Sequence, residues 1–184
     1  IIALNPPHIS WYQLTIEPNT QFASKPPTLP HDDILWDIQE QGQALLADAG
    51  YQQYEISGYA KPGYQCQHNL NYWRFGDYLG IGCGAHGKVT DANTKIITRT
   101  VKVKHPRGYM DLAKPYLYEQ WQVADDDLAF EFFMNRFRLV EPCPKGDLSL
   151  LTNLSLQSQE QALNEAIKKG LLTDNKNNWQ VSAK

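Results

Sequence analysis

Cysteine is scarce in this sequence: Cys66, Cys83 and Cys143 are the only three among 184 residues, and they lie far apart. They form no CxxC pair, no zinc-ligand spacing and no even set for a disulfide framework, which argues for a reducing, cytoplasmic setting. Long apolar runs are missing too; none approaches the roughly 20 residues that a membrane-spanning helix needs. Net charge is small, −3 with a pI of about 5.9, so the chain lacks the basic face that nucleic-acid phosphates require. There is no internal repeat and no low-complexity tract. There is also no initiating methionine and no basic-then-apolar leader. The chain opens on Ile1-Ile2-Ala3-Leu4, which reads as the tail of a helix cut mid-element, so the sequence is expected to be a piece of a longer protein.

What is present is an ordinary globular composition, 42% apolar and 20% charged, long enough for one to two domains with a real core. Ile9–Ile16 is rich in β-branched and aromatic residues and predicts a buried strand. After a Pro-rich loop, Asp32 and Asp33 mark a helix start, Leu35, Ile38, Leu45, Leu46 and Ala49 share a face, and Gly50 suits the C′ position. Tyr54–Ser57 is expected as a second strand. Strand, helix, strand reads as a βαβ unit with a parallel sheet. Tyr59–Gln67 is expected as loop, and Tyr78–Ile81 as a third strand. Lys88–Thr90 and Lys95–Val103 are expected as a hairpin around Asp91-Ala92-Asn93. His105-Pro106 is a boundary, with Pro106 opening a short helix. Beyond Trp121 the character becomes helical. Asp125–Asp127 opens a helix carrying Leu128, Phe132, Phe133, Phe137 and Leu139, two short helices fit Asp147–Asn153 and Gln157–Lys169, and Leu171–Val181 reads as a hairpin. Three helices and a terminal hairpin are winged-helix-like. The fold class is therefore α/β, with one domain over residues 1–104 and a mainly helical one over 105–184.

The stretch Cys66–Gly87, CQHNLNYWRFGDYLGIGCGAHG, stands apart. Its first half gathers His68, Asn69, Tyr72, Trp73 and Arg74, and its second half ends in four glycines within eight residues. Tyr72 and Trp73 offer flat faces, and Arg74 can fork onto a carboxylate. His68 can be a metal or haem ligand, a general base, or a turn residue bonded to the backbone. Gly82–Gly87 formally fits GxGxxG, but a polar hairpin follows it in place of the helix a dinucleotide fingerprint needs. A glycine-rich strand end still lets backbone N–H groups approach a ligand. Cys143, in Pro-Cys-Pro, is either a haem thiolate or part of an irregular turn.

HISWYQLTIEPNT, YEISGYAKPGYQCQHNLNYW and GDYLGIGCGAHGK closely resemble the HemW family of haem chaperones, in the radical S-adenosylmethionine (SAM) group around oxygen-independent coproporphyrinogen III oxidase. The resemblance runs nearly end to end. It implies the second half of an incomplete (β/α) radical-SAM barrel followed by a small helical C-terminal domain. It implies haem binding through HNxxYW, here His68, Asn69, Tyr72 and Trp73, with His68 as the iron ligand on a loop between barrel strands. Arg74 or Lys61 would meet the propionates. SAM contacts carry over to Thr15 and His86, with Gly82 and Gly84 in the glycine-rich loop. The family's CxxxCxxC and GGT-type motifs are not in these residues, so the 4Fe-4S ligands would lie outside them and this piece alone has no catalytic residues for radical chemistry. The implied partners are haem and haem-accepting proteins, membrane-associated acceptors among them.

Two other functions compete. One is a radical-SAM oxidoreductase that decarboxylates coproporphyrinogen in porphyrin biosynthesis. The other is a winged-helix nucleic-acid module. For the latter, residues 105–184 carry nine Lys and Arg against eleven Asp and Glu, and Glu160 and Glu165 stand on the candidate recognition helix, so phosphate neutralisation is weak.

Overall fold

A computed structural model describes residues 1–182. The chain forms two compact units, one over Ile1–Cys66 and a second beginning at Gln67. The 104/105 division expected from the sequence falls inside the second unit, between two strands that pair with each other.

In the first unit a short 3₁₀ turn, Ile2–Leu4, precedes β1 (His8–Ser10). Then come α1 (Gln21–Ser24), α2 (Asp32–Asp48), β2 (Gln52–Glu55) and β3 (Gly58–Ala60). The expected parallel pairing does not form. β3 lies between β1 and β2 and is antiparallel to both, with Ile9 opposite Tyr59. The reason is local: only Ile56 and Ser57 separate β2 from β3, and a two-residue connection makes an antiparallel hairpin. The expected strand to Ile16 also ends early, at Ser10. Trp11 leaves the sheet and lies against α2 at Gly42, where a Cβ would sit 2.0 Å from the indole ring. α2 ends as its sequence predicts. Gly50, at φ 84°, donates to Ala47 O, and Tyr51 N donates to Leu46 O, a Schellman closure. Ile9, Leu46, Tyr51 and Tyr59 make the core of this unit.

The second unit opens with α3 (Gln67–Trp73). β4 (His86–Thr90), β5 (Ile97–Lys102) and β6 (Leu117–Gln122) form an antiparallel sheet, with α4 (Pro106–Tyr109) between the last two strands. The expected hairpin is therefore present. The expected strand at Tyr78–Ile81 is a single bridge, Tyr78 to Lys88; Leu79 and Ile81 carry strand composition but stand exposed. The chain continues through α5 (Asp125–Arg136), β7 (Cys143–Pro144), α6 (Lys145–Thr152), α7 (Leu156–Lys168), β8 (Leu172–Asp174) and β9 (Asn178–Val181). The terminal hairpin gains β7 as a third strand, with Cys143 opposite Trp179. A two-residue strand made of Cys143 and Pro144 has no period from which it can be read. Phe75, Ile97, Phe132, Leu148, Leu163 and Trp179 belong to one buried cluster, so the end of α3 and the start of β5 share a core with the C-terminal helices.

Candidate functional site

The HNxxYW residues are helical, not loop-borne: they form the body of α3, anchored by buried Leu70. Residues four apart share a helix stripe, and this sorts the motif into two faces. His68 and Tyr72 lie on one, with ring centroids 4.8 Å apart at 56°. Tyr72 in turn stacks on Tyr78, centroids 4.1 Å apart at 25°. Asn69 and Trp73 lie on the next stripe. The Trp73 ring sits under the Arg138 guanidinium at 4.3 Å, and its indole N–H is buried without an acceptor among the described residues. The structure thus joins His68 to Tyr72, adds Tyr78, and turns Trp73 toward α5's C-terminal flank.

His68 is exposed and Tyr72 half-buried. Burial, and then neighbouring Tyr78, push the Tyr72 phenol above its ordinary range. Tyr78 Oη accepts from Arg99 Nη1 at 2.8 Å, and Arg99 is itself paired with Glu131. The result is an aromatic shelf with an imidazole at its open end, backed by a neutralised arginine. Arg74, expected to face a ligand carboxylate, already has one. Its Nε and Nη2 donate to Glu141 Oε1 and Oε2 at 2.9 and 2.7 Å. Arg136, nearly fully buried, donates to the same carboxylate. The hydrogen bond from Arg74, aided by Arg136 and opposed by burial, holds the Glu141 carboxyl below the usual carboxylate range. Lys61, in the first unit, donates to the Asn5 side chain.

The end of α3 is built on residues that the sequence reading did not single out. Phe75 takes a left-handed φ of 64° and Gly76 N donates to Asn71 O. Beneath this turn the Lys88 side chain is only 3% exposed. Its Nζ donates to Phe75 O at 3.0 Å, Asp77 Oδ1 at 2.8 Å and Thr90 Oγ1 at 3.1 Å. Burial pulls the Lys88 ammonium below its ordinary value, against the pull of Asp77. Burial alone would raise the Asp77 carboxyl, but hydrogen bonds from Lys88 and Thr90 outweigh it and hold it low. Lys88 opens a polar hairpin and reads as a surface residue. Tyr78 was visible as the second aromatic after Trp73, following Phe75.

The positions carried over for SAM divide between the units. Thr15 is exposed in the irregular stretch after β1, in the first unit. Gly82, Gly84 and His86 stand in the second. The two glycines have φ of 108° and 68°, Gly82 N donates to Tyr109 Oη at 3.0 Å, and His86 begins β4 with its side chain exposed. Cys143, the alternative iron ligand, is buried in the C-terminal core. Burial pushes its thiol up, which keeps the proton on the sulfur and disfavours a thiolate role. Among the described residues no group of three or more His, Cys, Asp or Glu could hold a metal ion, and no helix is long and apolar enough to cross a membrane.

Comparisons with known proteins agree with one another. The HemN C-terminal domain model matches residues 123–184. The heme chaperone HemW of Escherichia coli (strain K12) is 61% identical over 181 residues, covering 98% of this chain and 47% of that protein. The heme chaperone HemW of Haemophilus influenzae is 59% identical over 181 residues, covering 98% of this chain and 46% of that protein. The chain thus spans about half the length of the curated relatives it matches. Among solved structures, the coproporphyrinogen III oxidase HemN of Escherichia coli, a radical SAM enzyme, matches 100% of this chain and 46% of its own, with a TM-score of 0.73 at 18% identity.

Proposed function

Because the chain belongs to the family of the heme chaperone HemW proteins, of which it spans a C-terminal part, we propose that it is the haem-holding portion of a chaperone that delivers haem to acceptor proteins. The observation that carries this reading is the exposed imidazole of His68 at the end of the Tyr72–Tyr78 stack. These residues fit haem: a histidine nitrogen is a common axial ligand, and flat aromatic rings cover apolar macrocycle surface. Haem, when bound, supplies an iron open to such a ligand. His68 would hold it, Tyr72 and Tyr78 would orient it, and Trp73, under the Arg138 guanidinium, helps fix the helix that presents His68. One exposed ligand suits a carrier that must also release its cargo.

The finer architecture follows the same reading. The N-terminal residues would correspond to the second half of an incomplete (β/α) barrel, a reading that the end-to-end fold likeness supports and that the antiparallel β1-β3-β2 sheet departs from. α5–α7 with β7–β9 correspond to the winged-helix-like C-terminal domain, supported by the match over residues 123–184. In the full-length protein, the resemblance assigns SAM contacts to Gly82, Gly84 and His86 in the second unit and, separately, to Thr15 in the first, and the 4Fe-4S ligands would lie outside these residues, which contain no CxxxCxxC. The setting is cytoplasmic, as the sparse, unpaired cysteines favour, with membrane-associated proteins among the acceptors.

The test is a haemin titration of the full-length protein and its His68→Ala variant, followed at the Soret band. Loss of the wild-type spectrum and at least a tenfold weaker affinity are expected. Identical spectra and affinities sink the reading. A second reading, oxidation of coproporphyrinogen III, draws on the fold likeness to a radical SAM enzyme. Absence of product with SAM and reductant present removes it.

A further inference from the structure

Resting on the haem reading of α3, we infer that Lys88 is the positioning residue of that site. Its backbone and its side chain hold two different parts of the shelf at once. Through its backbone, Lys88 exchanges both bonds of a β-bridge with Tyr78: Tyr78 N donates to Lys88 O and Lys88 N donates to Tyr78 O, each at 2.9 Å. Through its side chain it holds the left-handed residue that ends α3, by the bond from Nζ to Phe75 O. The ammonium also lies 4.3 Å from the Phe75 ring centroid. Tyr78 and α3 meet in the Tyr72–Tyr78 stack, so the separation of those rings is set from one residue. Asp77 lies between the two grips. It binds Lys88 and takes further bonds from Thr90 N and Thr90 Oγ1, while Asn71 Nδ2 reaches back from α3 to Asp77 O.

Packing alone does not account for this lysine. A buried ammonium carries a desolvation cost that an apolar side chain of the same length avoids, and replacing buried ion pairs with apolar groups is often neutral for stability. What methionine cannot supply is three directed donors. Two of the acceptors here are the carbonyl of a strained helix terminus and the carboxylate of the turn that leads to Tyr78. Lys88 therefore acts on ligand through α3 and Tyr78 without touching it.

The experiment uses the full-length protein and the variant Lys88→Met, with His68→Ala and the double variant alongside. Folding is followed by circular dichroism and hydrogen exchange, haemin by the Soret band and by its dissociation rate to an apo-globin trap. Lys88→Met is expected to stay folded, to lose protection at the Arg74–Gly76 amides, and to shift the Soret band with about tenfold faster haem loss. The double variant should be no worse than His68→Ala, since Lys88 acts through the same helix. Thr90→Val is the milder second variant should Lys88→Met fail to fold, and a smaller change in the same direction is expected. A folded Lys88→Met with wild-type spectrum and dissociation rate, or Thr90→Val with both unchanged where Lys88→Met does not fold, overturns this inference alone. Haemin bound alike by wild type and His68→Ala overturns the haem reading and this inference with it.

Discussion

At the residue scale, the glycine-rich loop divides its glycines by what each must tolerate. At Gly80 an added Cβ would fall 2.4 Å from His86 O, a backbone atom that cannot yield cheaply. At Gly82 it would meet nothing within 4 Å, and at Gly84 only Lys104 Cα at 3.8 Å. The constraint at these two is the left-handed backbone, not space. A β-branched residue is a steric outlier there, at a cost of roughly 1–2 kcal/mol. Gly84→Val in the full-length protein is therefore expected to lower stability by about that amount and to weaken SAM binding, read by thermal denaturation and titration calorimetry. Unchanged SAM affinity would separate this loop from the cofactor. The sequence announced the loop through its four glycines, but which of them is short of room depends on His86 folding back over Gly80.

At the element scale, α3 is a seven-residue helix, too short to be stable on its own. It is held by what its C-terminal end touches: Glu141 through Arg74, Arg138 through Trp73, and Lys88 through Phe75. Glu141 is the shared acceptor for Arg74 and for buried Arg136. Its carboxyl is depressed in the fold, first by the Arg74 hydrogen bond. A carboxyl that is lower in the folded than in the unfolded chain binds fewer protons when folded. Its stabilisation is therefore complete above the ordinary carboxylate range and is lost as pH falls through the depressed folded value. Glu141→Gln is expected to cost on the order of 1–3 kcal/mol at neutral pH. Most of that comes from Arg136, because the half-exposed Arg74 pair is screened by solvent. The gap from wild type should close in acid, and chemical denaturation across pH checks this. A gap that stays constant down to the acid limb would remove Glu141 as the titrating group. None of this network shows in the sequence, where Arg74 and Glu141 are 67 residues apart.

At the scale of the whole chain, apolar surface is unevenly covered. On α2, Ile34, Trp36, Ile38 and Leu45 are each about half exposed or more, and they stand on a unit whose buried cluster is small. Of these, Ile34, Ile38 and Leu45 share one helix face, and exposed apolar groups on one face promote association. The 184-residue chain by itself is expected to self-associate in light scattering, and Ile38→Lys with Leu45→Lys to reduce the effect. A monodisperse monomer with a sharp thermal transition would show that these side chains are content in water. Local signals settled much of this protein in advance: the carboxylates and Gly50 that bound α2, the Asp91 turn of the β4–β5 hairpin, the start of α5 and, within two residues, the bounds of α6 and α7; they also drew attention to the HNxxYW and glycine-rich stretches. All of these rest on neighbours within a few positions, where side-chain period, capping and turn chemistry act directly on the backbone. The tertiary structure decided the rest. It put β3 between β1 and β2, released Leu79 and Ile81 from any strand, brought Cys143 into the core, sorted His68 and Tyr72 from Asn69 and Trp73, and buried Lys88 beneath them. Those outcomes depend on which distant surface each residue meets, and a sequence period of two or of 3.6 carries no record of that partner.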